Sequence, residues 1–412
     1  MFIMRSKRSQ ANPHIRVSRA FLACCLLSFS AANSAQNSKQ KTNECQSPGV
    51  AGPLLHLAID AARTDQARCA EWYFLQASQA NPTDWSIRHN HAIFRLKRGD
   101  RPGAKRILRE LAGVPASGAG PVTTLAVLEY EDKELDAAAA HLRMATNRDP
   151  ASSAAWTTLG ALELDRKNYL EAVRCFRQGA RLEPNNAQAW LNLGIALAEA
   201  GDLTAAADAF FRAYRVAPAE ATTNYNYGRA LVGLRKFAEA QPFLKTAIDG
   251  APSSGHAHYL LGICRRELGD AAGALHSIEQ AIQLDPNSGR YRYELAVALW
   301  DLNKESQAVV QWKEALRLDP GLEEATYRLS RALASTDPDA ARRFAALFEQ
   351  RRNEKAVRNQ VEQLERMADL ALRAGAASDA RSHLQRAIEV CGGCPARDRL
   401  RDRLAGHATP AR

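Results

Sequence analysis

Six prolines, Pro150, Pro184, Pro218, Pro252, Pro286 and Pro320, stand 34 residues apart with no insertion between them. Pro82 lies two such steps before Pro150, and Pro115 falls one residue from the missing middle step. A fixed period of this length signals a stack of supersecondary units, each in contact chiefly with its neighbours. Counted from 31 residues before each proline, eight units begin at Ala51, Trp85, Ala119, Ser153, Ala187, Ala221, Gly255 and Gly289. Position twenty is Ala in all eight, and position eight is always Gly or Ala. Two helices whose backbones approach closely need side chains this small. Bulky residues fill the neighbouring sites, with Leu159, Leu193, Leu261 and Leu295 at position seven and Phe74, Phe176, Phe210 and Trp312 at position 24. Large knobs beside small holes give native packing density.

Each unit carries helix punctuation. Gly99-Asp100, Gly201-Asp202 and Gly269-Asp270 share one midpoint, where Gly closes a helix and Asp caps the next. The proline ends the second helix, and Ser152, Asn186, Ser254 and Ser288 are placed to N-cap the following one. Between these marks apolar residues recur at helical spacing, with no strand-like alternation. Aromatics make up only 7% of the chain, which also favours close-packed helices over a β-sandwich or barrel.

The unit resembles the tetratricopeptide repeat, with its W-x-x-L-G pattern, small residue at 20, aromatic at 24 and proline at 32. Trp156-Thr157-Thr158-Leu159-Gly160 and Trp190-Leu191-Asn192-Leu193-Gly194 match it closely, and the likeness covers residues 51–322 without a gap. It implies an all-α fold, a right-handed superhelical solenoid of 34-residue helix-turn-helix repeats. The family's Tyr at position eleven is mostly absent. Glu163, Leu197, Leu231 and Arg265 stand there, which is expected to loosen individual units.

After Gly321 the pattern degrades, and residues 323–412 read as degenerate repeats with a capping helix. Asp337-Pro338 opens a helix with no breaker before Gly375. A tenth unit then fits with four residues inserted, placing Ala368, Ala380, Leu384 and Ala387 at the small and large sites. Leu400 and Leu404 suggest a short polar cap, since a terminal repeat needs a solvated outer face.

Residues 1–35 read as a targeting signal. Arg5, Lys7, Arg8, Arg16 and Arg19 precede a mostly apolar stretch from Ala20 to Ala32, then Ser34 and Ala35. This is the three-part pattern of a secretory signal peptide, with cleavage after Ala32 or Ala35. Initiation at Met4, retention as a membrane anchor and an uncleaved tail stay open, and Phe21-Leu22-Ala23-Cys24 is only a faint lipoprotein box. Residues 36–50 form a linker. The chain is thus expected to be exported, periplasmic or secreted, and to meet a membrane only through an uncleaved N-terminal segment. The total charge of +10 follows the ends: residues 1–43 hold seven Lys/Arg and no acid, and residues 341–412 fifteen Lys/Arg against nine Asp/Glu. The middle is slightly acidic, so no basic stripe points to nucleic acid.

No phosphate loop, H-E-x-x-H, G-x-S-x-G or G-x-G-x-x-G is present. The expectation is therefore no enzyme, no cofactor and no metal. His89 and His91, like His256 and His258, are two apart on a helix and point away from each other. Cys391-Gly-Gly-Cys394 follows a helix end. It suits a local disulfide, with free thiols and a redox or metal role as alternatives. Cys175 and Cys264 read as core residues, and Cys45 and Cys69 as a second candidate pair.

In this family positions two, five, six and nine of the first helices line the concave face. Position five reads Tyr225, Tyr259, Tyr293 and Tyr327; position six adds Asn192, Asn226, Glu294 and Arg328; positions two and nine add His256, Arg290, Arg229 and Arg331. An aromatic column with amide and charged neighbours suits an extended peptide; packing between adjacent helices is the competing reading. A glycan would use similar groups. The family's carboxylate-gripping pattern is incomplete, because His256 and Leu260 stand where Lys and Arg belong. The resemblance implies a non-catalytic scaffold that docks a protein segment in the concave groove, in the bacterial cell envelope or outside the cell. The alternatives are a targeting or regulatory subunit of an envelope assembly, and a thiol-redox protein using the C-terminal pair.

Overall fold

The computed structural model describes residues 54–406, and the expected signal, linker and Cys45 lie outside them. Twenty α-helices and one short 3-10 turn, with no strand, make up these described residues. The chain divides into two compact units between Ala251 and Pro252, a boundary that the unbroken period gave no reason to expect.

In the first unit helices run in antiparallel pairs: α1 (Leu54–Arg63) with α2 (Ala67–Ala80), α3 (Trp85–Lys97) with α4 (Arg101–Ala112), and α5 (Gly120–Glu131) with α6 (Leu135–Arg148). Then come α7 (Ser153–Asp165) with α8 (Tyr169–Leu182), α9 (Ala187–Glu199) with α10 (Leu203–Val216), and α11 (Ala221–Gly233) with α12 (Phe237–Gly250). The second unit continues with α13 (Gly255–Glu267) and α14 (Ala271–Leu284), then α15 (Gly289–Asp301) and α16 (Glu305–Leu318). It ends with α17 (Glu323–Ala332), α18 (Pro338–Arg373), α19 (Ala377–Cys391) and α20 (Arg397–Gly406).

The repeat register explains the packing. All eight position-twenty alanines, Ala70 to Ala308, are fully buried. A Cβ placed on Gly160 would lie 2.9 Å from the Phe176 ring, and one on Gly262 2.6 Å from Ile278. Position eight is therefore small because position 24 of the same repeat fills the space above it. The position-four side chain ties down the loop before its helix. Trp156 and Trp190 donate their indole N–H to the carbonyls of Pro150 and Pro184 at 2.9 and 2.8 Å. Asn224 does the same to Pro218 at 2.7 Å, and the His258 ring nitrogen reaches Pro252 at 3.3 Å. Asn and His thus replace Trp without losing this bond.

Asp100, Asp202 and Asp270 cap the second helices by accepting from Gly103, Ala205 and Gly273. Ser152, Asn186 and Ser288 cap first helices as expected, but the Ser254 side chain does not. There the backbone carbonyl of Ser254 accepts from Ala257 and His258 instead. Position fifteen is left-handed in every one of the eight repeats. Gly99, Gly201 and Gly269 meet this need without strain, while Asp65, Lys133, Lys167, Arg235 and Asn303 take the same conformation with a side chain.

The charged residues at position eleven find polar partners where the family carries Tyr. Glu163 is buried and accepts from Arg143 at 2.7 Å and Asn168 at 3.2 Å. Glu129, also buried, is 2.7 Å from the His141 ring. Arg265 donates to Ser277 and to the carbonyl of Gly273, and Arg95 joins His91 on the Glu71 carboxylate.

The 36-residue α18 runs without a break, at about 1.5 Å per residue. Its first part packs on α17 and its last part on α19. It thereby fuses the second helix of a ninth repeat to the first of a tenth. Ala368, Ala380, Leu384, Ala387 and Leu400 form a small core of their own with Cys391.

Candidate partner-binding face

In the first unit the expected residues sit on α9 and α11. Asn192 is 4% exposed, and its side-chain oxygen accepts from Gln188 at 2.7 Å. Asn226 is equally covered and donates to the Thr222 carbonyl of its own helix at 2.8 Å. Both amides are largely covered rather than open as the sequence suggested, and each makes a bond one turn earlier, Asn192 through its oxygen and Asn226 through its nitrogen. The Arg229 guanidinium lies 5.8 Å from the Tyr225 ring, which is half-buried. Burial raises the Tyr225 phenol pKa, with Arg229 opposing.

In the second unit the position-five tyrosines divide. Tyr259 and Tyr293 are buried, and only Tyr327 is open to solvent at 44%. Tyr259 stacks on Tyr291 of α15 at 4.9 Å, with the exposed His256 ring 5.3 Å away. The exposed aromatic column read from the sequence is therefore reduced here to one ring, since Tyr259 and Tyr293 are covered by packing.

Charge is sorted along with exposure. Glu294 is buried, with an oxygen 3.6 Å from Arg266; burial raises its pKa, and Arg266 and Arg290 oppose that. Arg290 pairs with Glu324 at 3.5 Å. On α17, Glu324, Tyr327, Arg328 and Arg331 follow a 3-4-7 spacing that puts them on one helix face, and all four are exposed. Tyr327 meets Phe348 of α18 at 5.4 Å. The sequence reading gave Glu324 no role; its position two in the ninth repeat was the available signal.

Cys391 and Cys394 are bonded at the C-terminal end of α19. A helix C-terminus opposes a thiolate, whereas redox pairs use the N-terminal end. Cys175 and Cys264 are free and buried, and burial pushes both thiols up to about 12. Cys69 is disulfide-bonded. His89 and His91 go to different partners, Thr124 and Glu71. No helix among the described residues is long and apolar enough to cross a membrane.

Residues 157–221, 225–289 and 265–323 match the sequence profile of the tetratricopeptide repeat. With the helix pairs and register described above, the chain belongs to the tetratricopeptide repeat family. No curated protein matches it. Among solved structures it is similar to YrrB, described as a tetratricopeptide repeat protein with an unusual peptide-binding site. That match has 22% identity over 41% of this chain and 87% of YrrB, with a TM-score of 0.38. MamA from Desulfovibrio magneticus RS-1 matches at 24% identity over 41% of this chain and 96% of its own, with a TM-score of 0.39. The Cut9–Hcn1 hetero-tetramer of APC/C matches at 16% over 67% of this chain and 55% of its own, with a TM-score of 0.44. Likenesses this distant say nothing of partner or chemistry.

Proposed function

We propose that the protein is a non-catalytic interaction scaffold, exported to the bacterial cell envelope or beyond, that docks a protein segment on the first-helix face of its second unit. The observation that carries this is the α17 face, where Tyr327 is 44% exposed between charged residues that are also exposed. A tyrosine offers large contact area at low entropic cost, and flanking charges orient a polar chain along it. Arg328 of that face hydrogen-bonds the Tyr293 hydroxyl of α15. The basic, then apolar, then small-residue order of residues 1–35 supports export.

A photo-crosslinking residue at position 327, with one at the exposed Leu170 of the first unit as control, tests the site. Adducts in envelope extract specific to position 327 are expected. For the captured partner, Tyr327→Ala should weaken binding about tenfold, and Arg328→Glu should weaken it in a salt-dependent way. Tyr259→Ala should lower the melting temperature and leave folded-state affinity unchanged. Equal adducts at both positions, or unchanged affinity in both face variants, would reject the site. Export is checked separately: residues 1–40 fused to a reporter active only outside the cytoplasm should give activity.

A further inference from the structure

The first unit carries an aromatic cluster that its own packing does not require. Phe211 and Tyr214 of α10, Tyr227 of α11 and Phe243 of α12 meet ring to ring. Tyr227 and Phe243 are 4.6 Å apart, Tyr214 and Phe243 5.1 Å, and Phe211 and Tyr227 5.7 Å. Phe211 is 43% exposed, and the other three rings are half-buried.

The repeat register supplies an internal control. Phe211 occupies position 25, where most other repeats carry a charge, such as Arg177, Lys245 and Lys313. Tyr214 stands where Ala180, Ile248 and Ile282 do, and Tyr227 replaces the position-seven leucine of Leu193 and Leu261. Phe243 stands where Cys175, Ala209 and Ser277 do. The other six repeats lack this combination. Four positions on three successive helices are aromatic where they converge on one surface.

The edges of this surface are acidic. Asp208 lies one turn before Phe211, is exposed and makes no ion pair among the described residues. Glu239 lies one turn before Phe243 and pairs with Lys236 at 3.3 Å. Burial raises the Tyr227 phenol pKa, and Glu239 and Asp208 push the same way. Aromatic faces bordered by carboxylates attract a desolvated cation. The unit already uses such pairing, with the Arg212 guanidinium 4.8 Å over Trp190.

We infer that these four rings form a second docking surface, distinct from the α17 face, which takes an arginine or lysine side chain of a partner protein between Asp208 and Glu239. The probe is a phage-displayed random 12-mer library panned on the full chain. It is then depleted on a variant returned to the residues of sister repeats: Phe211→Lys, Tyr214→Ile, Tyr227→Leu and Phe243→Ser. Surviving peptides should be enriched in Arg or Lys. Replacing that residue with Ala should weaken binding at least about tenfold, as should Asp208→Lys with Glu239→Lys on the chain. The charge variants alter only exposed side chains, so they decide the matter even if the fourfold variant does not fold. No surviving peptide, survivors that bind without a basic residue, or charge variants that bind unchanged would overturn the inference. So would self-association of the full chain that the ring variant abolishes, because the occupant would then be a second copy.

Discussion

In the repeats that begin at Ala119 and Ser153, position eleven is a buried carboxylate; in those that begin at Ala187 and Ala221 it is a buried leucine. Both solutions fill the same space in the first unit, but they make different demands. Leu197 and Leu231 need only apolar surroundings. Glu129 needs His141 of its own repeat, and Glu163 needs Arg143 of the preceding one. A buried charge dictates which residues stand beside it, whereas a leucine accepts many neighbours. The stack is regular in backbone and selective in only some of its contacts.

The strongest way to break this comparison is Leu231→Glu. The preceding repeat offers Phe211 at position 25, where Glu163 finds Arg143, so the new carboxylate loses the arginine; Lys236, which stands where Asn168 does, already pairs with Glu239. The expected cost is about 3–5 kcal/mol, read as increased amide exchange across α11 and α12. Leu197→Glu should cost clearly less, because Arg177 stands where Arg143 does. Equal costs would disprove the partner rule.

The next effect is acid sensitivity of the first repeats. Burial lowers the pKa of His89 to about 4 and also lowers that of His91. These groups fold neutral, so their contribution is complete above their ordinary range and falls as protons bind preferentially to the unfolded state. For His89 the loss runs from about pH 6.5 down to about 4 and reaches at most about 3 kcal/mol. Burial acts to raise the Glu71 pKa, but the hydrogen bonds from His91 and Arg95 hold it below its ordinary value. Its stabilisation is present above the unfolded carboxyl pKa and is lost as pH falls through the lower folded one. Amides of α3 should therefore lose protection between pH 7 and 5 before those of α9. Simultaneous loss would contradict this order.

Glu163→Leu is the converse of the first test and a smaller effect. It installs the leucine solution, and the freed Arg143 is half-exposed and can hydrate. The melting temperature should stay level or rise, within about 1 kcal/mol. A drop as large as that for Leu231→Glu would mean the ion pair contributes net stability. Smallest of all, Lys133→Gly and Lys167→Gly should each stabilise by about 0.5–1 kcal/mol, because their left-handed backbone strains a side chain. The same gain is not available at Gly201, whose repeat already has the relaxed residue. A loss of stability in both glycine variants would show that unfolded-chain entropy outweighs the strain.

What the sequence made legible depends on identity at fixed spacing. The repeat register, the small residue facing position 24 and the long helix ending before Gly375 all follow from such spacing. Exposure does not. Tyr259 and Tyr327 share a repeat position, yet Tyr291 of the following repeat covers the first, while the second meets Phe348 and stays open. The left-handed position was visible at Gly99, Gly201 and Gly269 but hidden at Lys133 or Arg235, where neighbouring helices impose it on an ill-suited residue. The ring cluster around Tyr227 escaped notice because its members come from three helices and two repeats.

The unbroken α18 also changes the arithmetic of insertion and deletion. A loop between repeats absorbs added residues as slack. Within the exposed middle of α18, each residue added or removed acts as a screw. It turns everything beyond by roughly 100° and moves it by roughly 1.5 Å. The terminal core around Leu384 and Leu400 is thereby phased against α17 by residue count alone. A substitution there leaves that phase unchanged, but a change of length keeps it only in near-whole turns, such as seven or eighteen residues.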